Sequence, residues 1–285
     1  MRGRRSEIIE YICGQIQGLY PLQECRHIAR MAAAAWSNET ESRYLIDPNE
    51  IIEIEDLERL AEPLAAGCPI QYVLGRAEFC GEEFIVREGV LIPRPETEEL
   101  AAWAMERAST LGRPRILDVC TGSGCIAIAL KKRLPTATIT AIDLSEEALT
   151  IAQENATRLH AEVEFLHDDA LAGLPSITGR QFDIILSNPP YIPQSEQAAM
   201  HINVTRYEPH VALFVSDDDP LIFYREIART ALNSLAPQGW LLFEIHETLA
   251  KATIEMLAVE GYHNIELRYD FRQKPRMICC QPKQR

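Results

Sequence analysis

The feature that most constrains the fold is an alternation between two kinds of segment that begins near Arg113. Short runs rich in β-branched and other apolar residues, typical of strands, are separated by longer stretches with helical spacing. The runs lie at residues 116–119, 138–142, 163–166, 183–187, 240–245, 265–269 and 277–280. Alternation of this kind predicts a largely parallel sheet covered by helices, which is an α/β fold of the Rossmann-like type.

The segment before this domain has a different pattern. Between residues 6 and 66, apolar residues recur at three- and four-residue steps, interrupted at Tyr20-Pro21 and Asp47-Pro48. A third helix is predicted at residues 49–64. We therefore expect a small helical bundle at residues 1–75, with its charges facing outward. A short hairpin at 76–92 would link it to the α/β domain at 93–285.

Composition narrows the class of function. The formal net charge is −14, from 42 acidic and 28 basic residues, so a phosphate backbone would be repelled. We therefore expect a protein or small-molecule substrate and no direct binding to nucleic acid. The eight cysteines lack the spacing of zinc ligands, which predicts reduced thiols and no metal site. Neither a signal peptide nor a stretch of ~20 apolar residues is found, which favours a cytoplasmic protein with no membrane contact.

A candidate cofactor site lies where the first strand of the α/β domain ends. Residues 116–127 have the pattern of a strand, a turn containing Gly122 and Gly124, and the start of a helix, so the backbone can approach a ligand closely. Asp143 ends the next apolar run, where a carboxylate can accept both hydrogen bonds of a ribose diol. Because residues 122–127 also satisfy G-x-G-x-x-A, the glycines alone leave NAD and S-adenosylmethionine both open.

A candidate reacting site follows the run at 183–187, which leads directly into Asn188-Pro189-Pro190-Tyr191. The two prolines fix the backbone and lack N–H donors, which leaves a turn rich in acceptors at the ligand-binding edge of the sheet. The side-chain oxygen of Asn188 and the carbonyl of Pro189 can each accept one hydrogen of an NH2 group and aim its weakly nucleophilic nitrogen at a methyl donor. Tyr191 can stack on the planar group. These four residues are therefore predicted to be catalytic.

These segments together resemble the release factor glutamine methyltransferase family, which modifies the glutamine of the Gly-Gly-Gln tripeptide in bacterial peptide chain release factors. The resemblance spans almost the whole chain. Besides the two sites, it rests on Gln71-Tyr72-x-x-Gly75, Phe79-x-Gly81-x-x-Phe84, Gly89-Val90-Leu91-Ile92-Pro93-Arg94-Pro95-Glu96-Thr97-Glu98 and Tyr207-Glu208-Pro209. The proline-containing run before Glu98 is the most family-specific, whereas Asn-Pro-Pro-Tyr is shared with adenine and guanine amino-methyltransferases.

The resemblance implies a fold and a set of site residues. The fold would be a helical N-terminal domain that helps to dock the release factor, followed by a seven-stranded class I methyltransferase domain. The donor, S-adenosyl-L-methionine, would be bound by Cys120, Thr121, Gly122, Ser123, Gly124, Asp143, Asp169, Ala170 and Asn188. The substrate glutamine would be held by Asn188, Pro189, Pro190 and Tyr191, with Arg94, Glu96 and Thr97 helping to line the site.

Three residues depart from the family pattern. Cys120 stands where a glycine is usual, Ala170 replaces a common aromatic near the adenine, and His246 stands in place of a glycine. Cys120 matters most, because donor binding would weaken if that position needs a positive φ or a close approach to the donor. The alternative is that a small buried thiol simply fits there.

The sequence is also compatible with three other functions. A nucleic-acid methyltransferase acting on adenine or guanine NH2 would use the same turn, although no added basic region is present to grip a backbone. A non-catalytic protein with a degraded cofactor site would explain Cys120. A nicotinamide oxidoreductase would explain the glycine pattern.

Overall fold

The computed structural model describes residues 1–283 of the 285. The chain forms two compact units. The N-terminal unit comprises Met1–Arg76 and His201–Tyr207, and the C-terminal unit comprises Ala77–Met200 and residues 208–283. The functional division predicted at 1–75, 76–92 and 93–285 stays a prediction.

Both units contain helices and strands. The helices are α1 Arg5–Ile16, α2 Leu22–Trp36, α3 Glu41–Ile46, α4 Leu57–Ala65, α5 Ile70–Leu74, α6 Pro95–Ala108, α7 Cys125–Arg133, α8 Glu146–Arg158, α9 Ile202–Tyr207, α10 Ile222–Ser234 and α11 Ala250–Val259. The strands are β1 Arg2–Arg4, β2 Ile51–Glu53, β3 Arg76–Phe79, β4 Glu82–Ile85, β5 Arg115–Val119, β6 Thr138–Asp143, β7 Glu164–His167, β8 Phe182–Ser187, β9 Ile192–Pro193, β10 Phe214–Val215, β11 Leu235–Glu244, β12 Tyr262–Tyr269 and β13 Pro275–Pro282.

The N-terminal unit is built around α1 and α2. Ile8, Ile12 and Ile16 recur at four-residue steps, so they form one buried stripe of α1 that packs with the small buried face of α2. The predicted helical N-terminal region is thereby confirmed. The predicted third helix at 49–64 is confirmed only from Leu57 onward, where α4 begins, and is wrong before it, because residues 51–53 form β2, which pairs antiparallel with β1. Two adjacent isoleucines in β2 favour the extended conformation.

One charge of this unit is fully buried, contrary to the expectation that its charges face outward. Arg5 is buried and donates from Nη2 to Glu39, at 2.7 Å, and from Nη1 to the carbonyl of Asp47, at 3.1 Å. It also forms an ion pair with Glu50. A buried guanidinium is tolerated only when its donors are matched, which is the case here. The side-chain hydrogen bonds that Arg5 donates to Glu39 raise the pKa of Arg5 above its ordinary value.

The C-terminal unit contains a seven-stranded sheet in the order β12-β13-β11-β8-β5-β6-β7. The five strands from β11 to β7 pair in parallel, and β13 is antiparallel to both of its neighbours. The chain order reverses between β5 and β8, which creates the crevice where open α/β sheets bind ligands. The predicted Rossmann-like fold is confirmed, with the antiparallel pair at one edge.

Both faces of this sheet are covered by helices, which explains why the central strands are apolar throughout. Ile116 and Ile184 pack with α6 and α7 in one buried cluster, whereas their neighbours Leu117 and Ile185 pack with α10 and α11 in another. The hairpin of β3 and β4 adds Phe79 and Phe84 to the first cluster. Within residues 1–283, no helix is both long and apolar enough to cross a membrane.

Candidate functional site

The register of the parallel strands places the two predicted sites side by side. Val119, the last residue of β5, pairs with Ser187, the last residue of β8. The glycine turn that starts at Cys120 and the proline turn that starts at Asn188 therefore leave the sheet at the same edge. Asp143, the last residue of β6, is one strand further along.

A cavity of about 290 Å³ lies at this edge. This is close to the lower limit of the range of about 300–1,000 Å³ usual for small-molecule sites. Its wall is formed by Gly89, Val90, Leu91, Pro93, Arg94, Thr97, Val119, Cys120, Thr121, Gly122, Ser123, Cys125, Ile126, Ile142, Asp143, Leu144, Ser145, Ala148, Asp168, Asp169, Ala170, Asn188, Pro190, Pro209, Val211, Ala212 and Phe223. All of these residues belong to the C-terminal unit.

The glycine turn between β5 and α7 has a backbone that few side chains tolerate. The φ angles of Cys120, Gly122 and Gly124 are +62°, +55° and +78°. A Cβ added to Gly124 would lie 3.0 Å from the Cβ of Ala152, so this glycine allows the turn to pack closely on α8. At Gly122 an added Cβ would meet no protein atom within 4 Å among the described residues, which leaves room for a ligand against the backbone.

Asp143 links the glycine turn to the turn that precedes α8. Its Oδ2 accepts the backbone N–H of Gly122 at 2.8 Å, and its Oδ1 accepts that of Ser145 at 2.9 Å. Burial raises the pKa of Asp143, and these two N–H groups act in the opposite direction. Each carboxylate oxygen has a further lone pair, so the side chain can still accept hydrogen bonds from a ligand in the cavity.

The proline turn presents two oxygen acceptors. Asn188 donates from Nδ2 to the Oγ1 of Thr97 at 3.2 Å. Among residues 1–283 no donor reaches the Oδ1 of Asn188 or the carbonyl oxygen of Pro189. Tyr191 lies just beyond, where its backbone N–H donates to the carbonyl of Leu213 at 3.3 Å. The Oδ1 of Asn188 therefore has no partner among the described residues and belongs to a residue on the cavity wall, whereas Pro189 is buried and does not line the cavity.

A buried carboxylate lies behind this turn. Glu244, the last residue of β11, accepts the hydroxyl of Thr97 at 2.7 Å and the hydroxyl of Tyr191 at 3.0 Å. Burial raises the pKa of Glu244, while the two hydroxyl donors and the charge of Arg276 lower it. Burial and the nearby carboxylate raise the pKa of Tyr191 well above its ordinary value, so its hydroxyl keeps its proton.

The proline-rich segment before α6 is anchored by a second buried carboxylate. Glu208 accepts the backbone N–H of Ile92 at 3.1 Å and pairs with the guanidinium of Arg94 at 2.5 Å. Arg94 lines the cavity. Glu96 does not, because its carboxylate points toward Arg272, with 3.8 Å between the charged atoms.

Most of the residues singled out from the sequence lie at the cavity. Those on its wall are Arg94, Thr97, Cys120, Thr121, Gly122, Ser123, Asp143, Asp169, Ala170, Asn188 and Pro190, and those outside it are Glu96, Gly124, Pro189 and Tyr191. Sequence reasoning missed the part of the wall formed by Leu144 and Phe223, and it missed Glu244 behind the turn. Leu144 had a recognisable signal, since it directly follows Asp143.

Comparison with known proteins identifies the family. A release factor glutamine methyltransferase of Bacteroides thetaiotaomicron is 39% identical over 276 residues, which are 96% of this chain and 98% of that protein. One from Flavobacterium psychrophilum is 46% identical over 213 residues, 74% of each chain. The chain belongs to the release factor glutamine methyltransferase family.

Two broader comparisons concern the methyltransferase domain and its fold. The family model for the Methyltransferase small domain matches residues 102–206. The crystal structure of the hMettl16 catalytic domain in complex with MAT2A 3'UTR hairpin 1 has a TM-score of 0.58 and 16% identity, covering 76% of this chain and 80% of that chain. At this identity the likeness supports the fold alone.

As a member of the release factor glutamine methyltransferase family, the protein is an S-adenosyl-L-methionine-dependent methyltransferase. This decides between the two cofactors that the glycines left open. The cavity fits the donor in chemical character: Asp143 offers a carboxylate for a ribose diol, and Ile142, Ala170 and Phe223 offer apolar surface for a base. The open space above Gly122 fits a ligand close to the backbone.

The positive φ of Cys120 gives a testable prediction. A non-glycine residue in this region costs of order 1 kcal/mol or more, whereas glycine adopts it readily. We expect Cys120→Gly to bind S-adenosyl-L-methionine several-fold more tightly, as measured by calorimetry, because the turn is no longer strained. Cys120→Ala is the matched control, since it removes the thiol but keeps a Cβ. Equal tightening in both variants would show that the thiol, not the backbone strain, weakens binding.

A second prediction concerns Asp118, which lies fully buried beneath the glycine turn. Its Oδ2 accepts the hydroxyl of Thr121 at 2.6 Å, and its Oδ1 has no partner among the described residues. Burial raises the pKa of Asp118 from 3.8 to about 7. The folded protein therefore holds this proton to higher pH than the unfolded chain, so stability falls as the pH rises from about 4 to about 7.

The isosteric variant Asp118→Asn removes this titration. Each pKa unit corresponds to about 1.4 kcal/mol. Between about pH 4 and pH 8, the free energy of unfolding of the unmodified protein should therefore fall by ~4 kcal/mol more than that of the variant. Urea unfolding of both proteins at the two pH values measures the difference. The same pH dependence in both proteins would mean that Asp118 is not the group that titrates.

Proposed function

We propose that this protein transfers a methyl group from S-adenosyl-L-methionine to the side-chain amide nitrogen of the glutamine in the Gly-Gly-Gln motif of peptide chain release factors, in the cytoplasm. The observation that carries the proposal is the proline turn beside the donor cavity, where no donor among the described residues occupies the Oδ1 of Asn188 or the carbonyl of Pro189. The relatives from Bacteroides thetaiotaomicron and Flavobacterium psychrophilum are named release factor glutamine methyltransferases.

In this proposal the donor occupies the cavity at the switch point of the sheet. Asp143 accepts the hydrogen bonds of the ribose, and the backbone of Cys120, Thr121, Gly122, Ser123 and Gly124 approaches the donor closely. Asp169, Ala170 and Asn188 complete the donor site. Bound there, S-adenosyl-L-methionine supplies an electrophilic methyl carbon.

The proline turn acts on the substrate amide. The lone pair of an amide nitrogen is delocalised, so the nitrogen attacks poorly unless it is well positioned. The Oδ1 of Asn188 and the carbonyl of Pro189 accept its two hydrogens, which draws the nitrogen toward pyramidal geometry and directs its lone pair at the methyl carbon. No strong general base is needed, because the cationic nitrogen formed on transfer loses its proton readily.

The remaining predicted residues shape the substrate side. Pro189 and Pro190 keep the turn rigid, and the ring of Tyr191 covers the planar carboxamide. Arg94 and Thr97 help to line the entrance, whereas Glu96 lies outside the cavity wall. The helical segment at residues 1–75 helps to dock the release factor, and the overall acidity disfavours a nucleic-acid substrate.

Mass spectrometry of a recombinant release factor incubated with the protein and S-adenosyl-L-methionine tests the proposal. We expect a single added methyl group on the glutamine of Gly-Gly-Gln. A release factor in which this glutamine is replaced by glutamate serves as control, because it has no amide nitrogen. Methyl incorporation into RNA or DNA, with none into the release factor, would instead identify a nucleic-acid methyltransferase.

A further inference from the structure

The hydrogen bonds behind the proline turn have a defined direction. Glu244 accepts hydrogen bonds from two hydroxyl groups, that of Thr97 at 2.7 Å and that of Tyr191 at 3.0 Å. Each oxygen of the Glu244 side chain accepts one of these hydroxyls, so both hydroxyl hydrogens are directed toward Glu244. The oxygen of Thr97 has then used its single hydrogen and can act toward any other group only as an acceptor.

This direction determines which end of the Asn188 carboxamide faces Thr97. Since the Oγ1 of Thr97 can only accept, the group 3.2 Å away must be the NH2 of Asn188, which donates. The carboxamide is planar, so its oxygen must point the other way. Asn188 lies on the cavity wall, which leaves that oxygen available to a ligand.

The opposite orientation would work against the reaction. If the hydroxyl of Thr97 donated to the Oδ1 of Asn188, the NH2 of Asn188 would be presented to the substrate instead. Two NH2 groups facing each other cannot form a hydrogen bond, and the substrate amide would lose one of its two acceptors. The hydrogen bonds around Asn188 therefore decide which orientation the carboxamide adopts.

Burial makes the arrangement stiff. Thr97 is 3% exposed and Glu244 is 1% exposed, so neither group can exchange its partner for bulk water. Thr97 sits near the start of α6, and Glu244 ends β11, so two rigid elements support the Asn188 side chain from behind. A buried threonine hydroxyl and a buried carboxylate cost free energy unless they are paired, and here they pair with each other.

We propose that Thr97 and Glu244 are positioning residues that fix the orientation of the Asn188 carboxamide, so that its oxygen rather than its NH2 group faces the substrate amide. This inference rests on the proposed function. Thr97 thereby has a more specific role than lining the entrance. Glu244, to which the sequence pattern assigns no function, also has a role. Neither residue exchanges atoms with the substrate.

Replacing Thr97 with valine tests the inference, because valine keeps the shape and removes the hydroxyl. We expect kcat for release factor methylation to fall about 10- to 100-fold, as is usual when a reacting group is misplaced, while the donor affinity measured by calorimetry changes far less. Thr97→Ser restores the hydroxyl and should recover most of the lost rate. Thr253→Val is the matched control, since Thr253 is also fully buried but does not line the cavity.

A double-mutant cycle separates orientation from general packing. Glu244→Gln brings an NH2 group that can donate to Thr97, which frees the hydroxyl hydrogen of Thr97 to point at Asn188. Because both substitutions destroy the same orientation, the double variant should be no slower than the slower single variant. Losses that multiply would show that the two residues act independently and would overturn the inference.

A measurement without substrate makes the outcome independent of the proposed function. In ¹⁵N-labelled protein, the side-chain NH2 of Asn188 should exchange with solvent more rapidly in Thr97→Val than in the unmodified protein, whereas Thr253→Val should not change it. Equal exchange in Thr97→Val and the unmodified protein would overturn the inference. Failure of the unmodified protein to methylate a release factor would overturn the proposed function, and the exchange measurement would still decide the orientation of Asn188.

Discussion

Asn188→Ala is expected to lower kcat for release factor methylation by about a hundred- to a thousandfold, the usual loss when one preorganised polar group is removed from a reacting centre. The substitution removes the oxygen that accepts one substrate hydrogen and leaves Thr97 without its donor. The expected loss lies mainly in kcat, because Asn188 acts on the amide as it reacts. Initial rates with a recombinant release factor measure it.

The control for this variant is Asn233→Ala, which removes an exposed asparagine of α10 that does not line the cavity. Its rate should equal that of the unmodified protein. If Asn188→Ala turned over as fast as Asn233→Ala, the catalytic assignment of the proline turn would be wrong.

Asp143→Ala is expected to weaken binding of S-adenosyl-L-methionine about a hundredfold. The carboxylate holds the backbone N–H groups of Gly122 and Ser145, and hydrogen bonds to a charged group contribute about 1.5–3 kcal/mol each. Its loss both loosens the glycine turn and removes the proposed ribose acceptor. Calorimetry gives the dissociation constant directly.

Glu146→Ala is the matched control for Asp143. Glu146 is an exposed carboxylate three residues further along the chain, at the start of α8, and it does not line the cavity. Glu146→Ala changes the net charge by the same amount as Asp143→Ala, so it shows any general electrostatic effect on donor binding. Equal weakening in both variants would count against a direct role of Asp143 in donor binding.

The sheet and the two turns could be predicted because their signals are local. Apolar runs mark the central strands, and in a parallel sheet the residue that follows each run lies at the same edge. Asp143 and Asn188 both occupy such positions, and the structure places both on the wall of one cavity. Both positions follow from the strand ends alone and do not depend on the order of the strands.

The residues behind the proline turn could not be predicted in the same way. Glu244 meets Thr97 and Tyr191 only because β11 lies beside β8, and their separations along the chain are 147 and 53 residues. Pairing over such distances depends on the strand order, for which the sequence has no local signal. Helical spacing likewise failed at residues 51–53, where pairing with β1 decides the conformation.

The central claim is that the Oδ1 of Asn188 and the carbonyl of Pro189 both accept hydrogen bonds from the glutamine amide, which faces the methyl donor. A crystal structure of the protein with S-adenosylhomocysteine and a Gly-Gly-Gln peptide tests this most directly. We expect the glutamine nitrogen to lie about 3 Å from both oxygens, with its remaining face toward the donor sulfur. A glutamine amide bound elsewhere in the cavity, touching neither oxygen, would contradict the account.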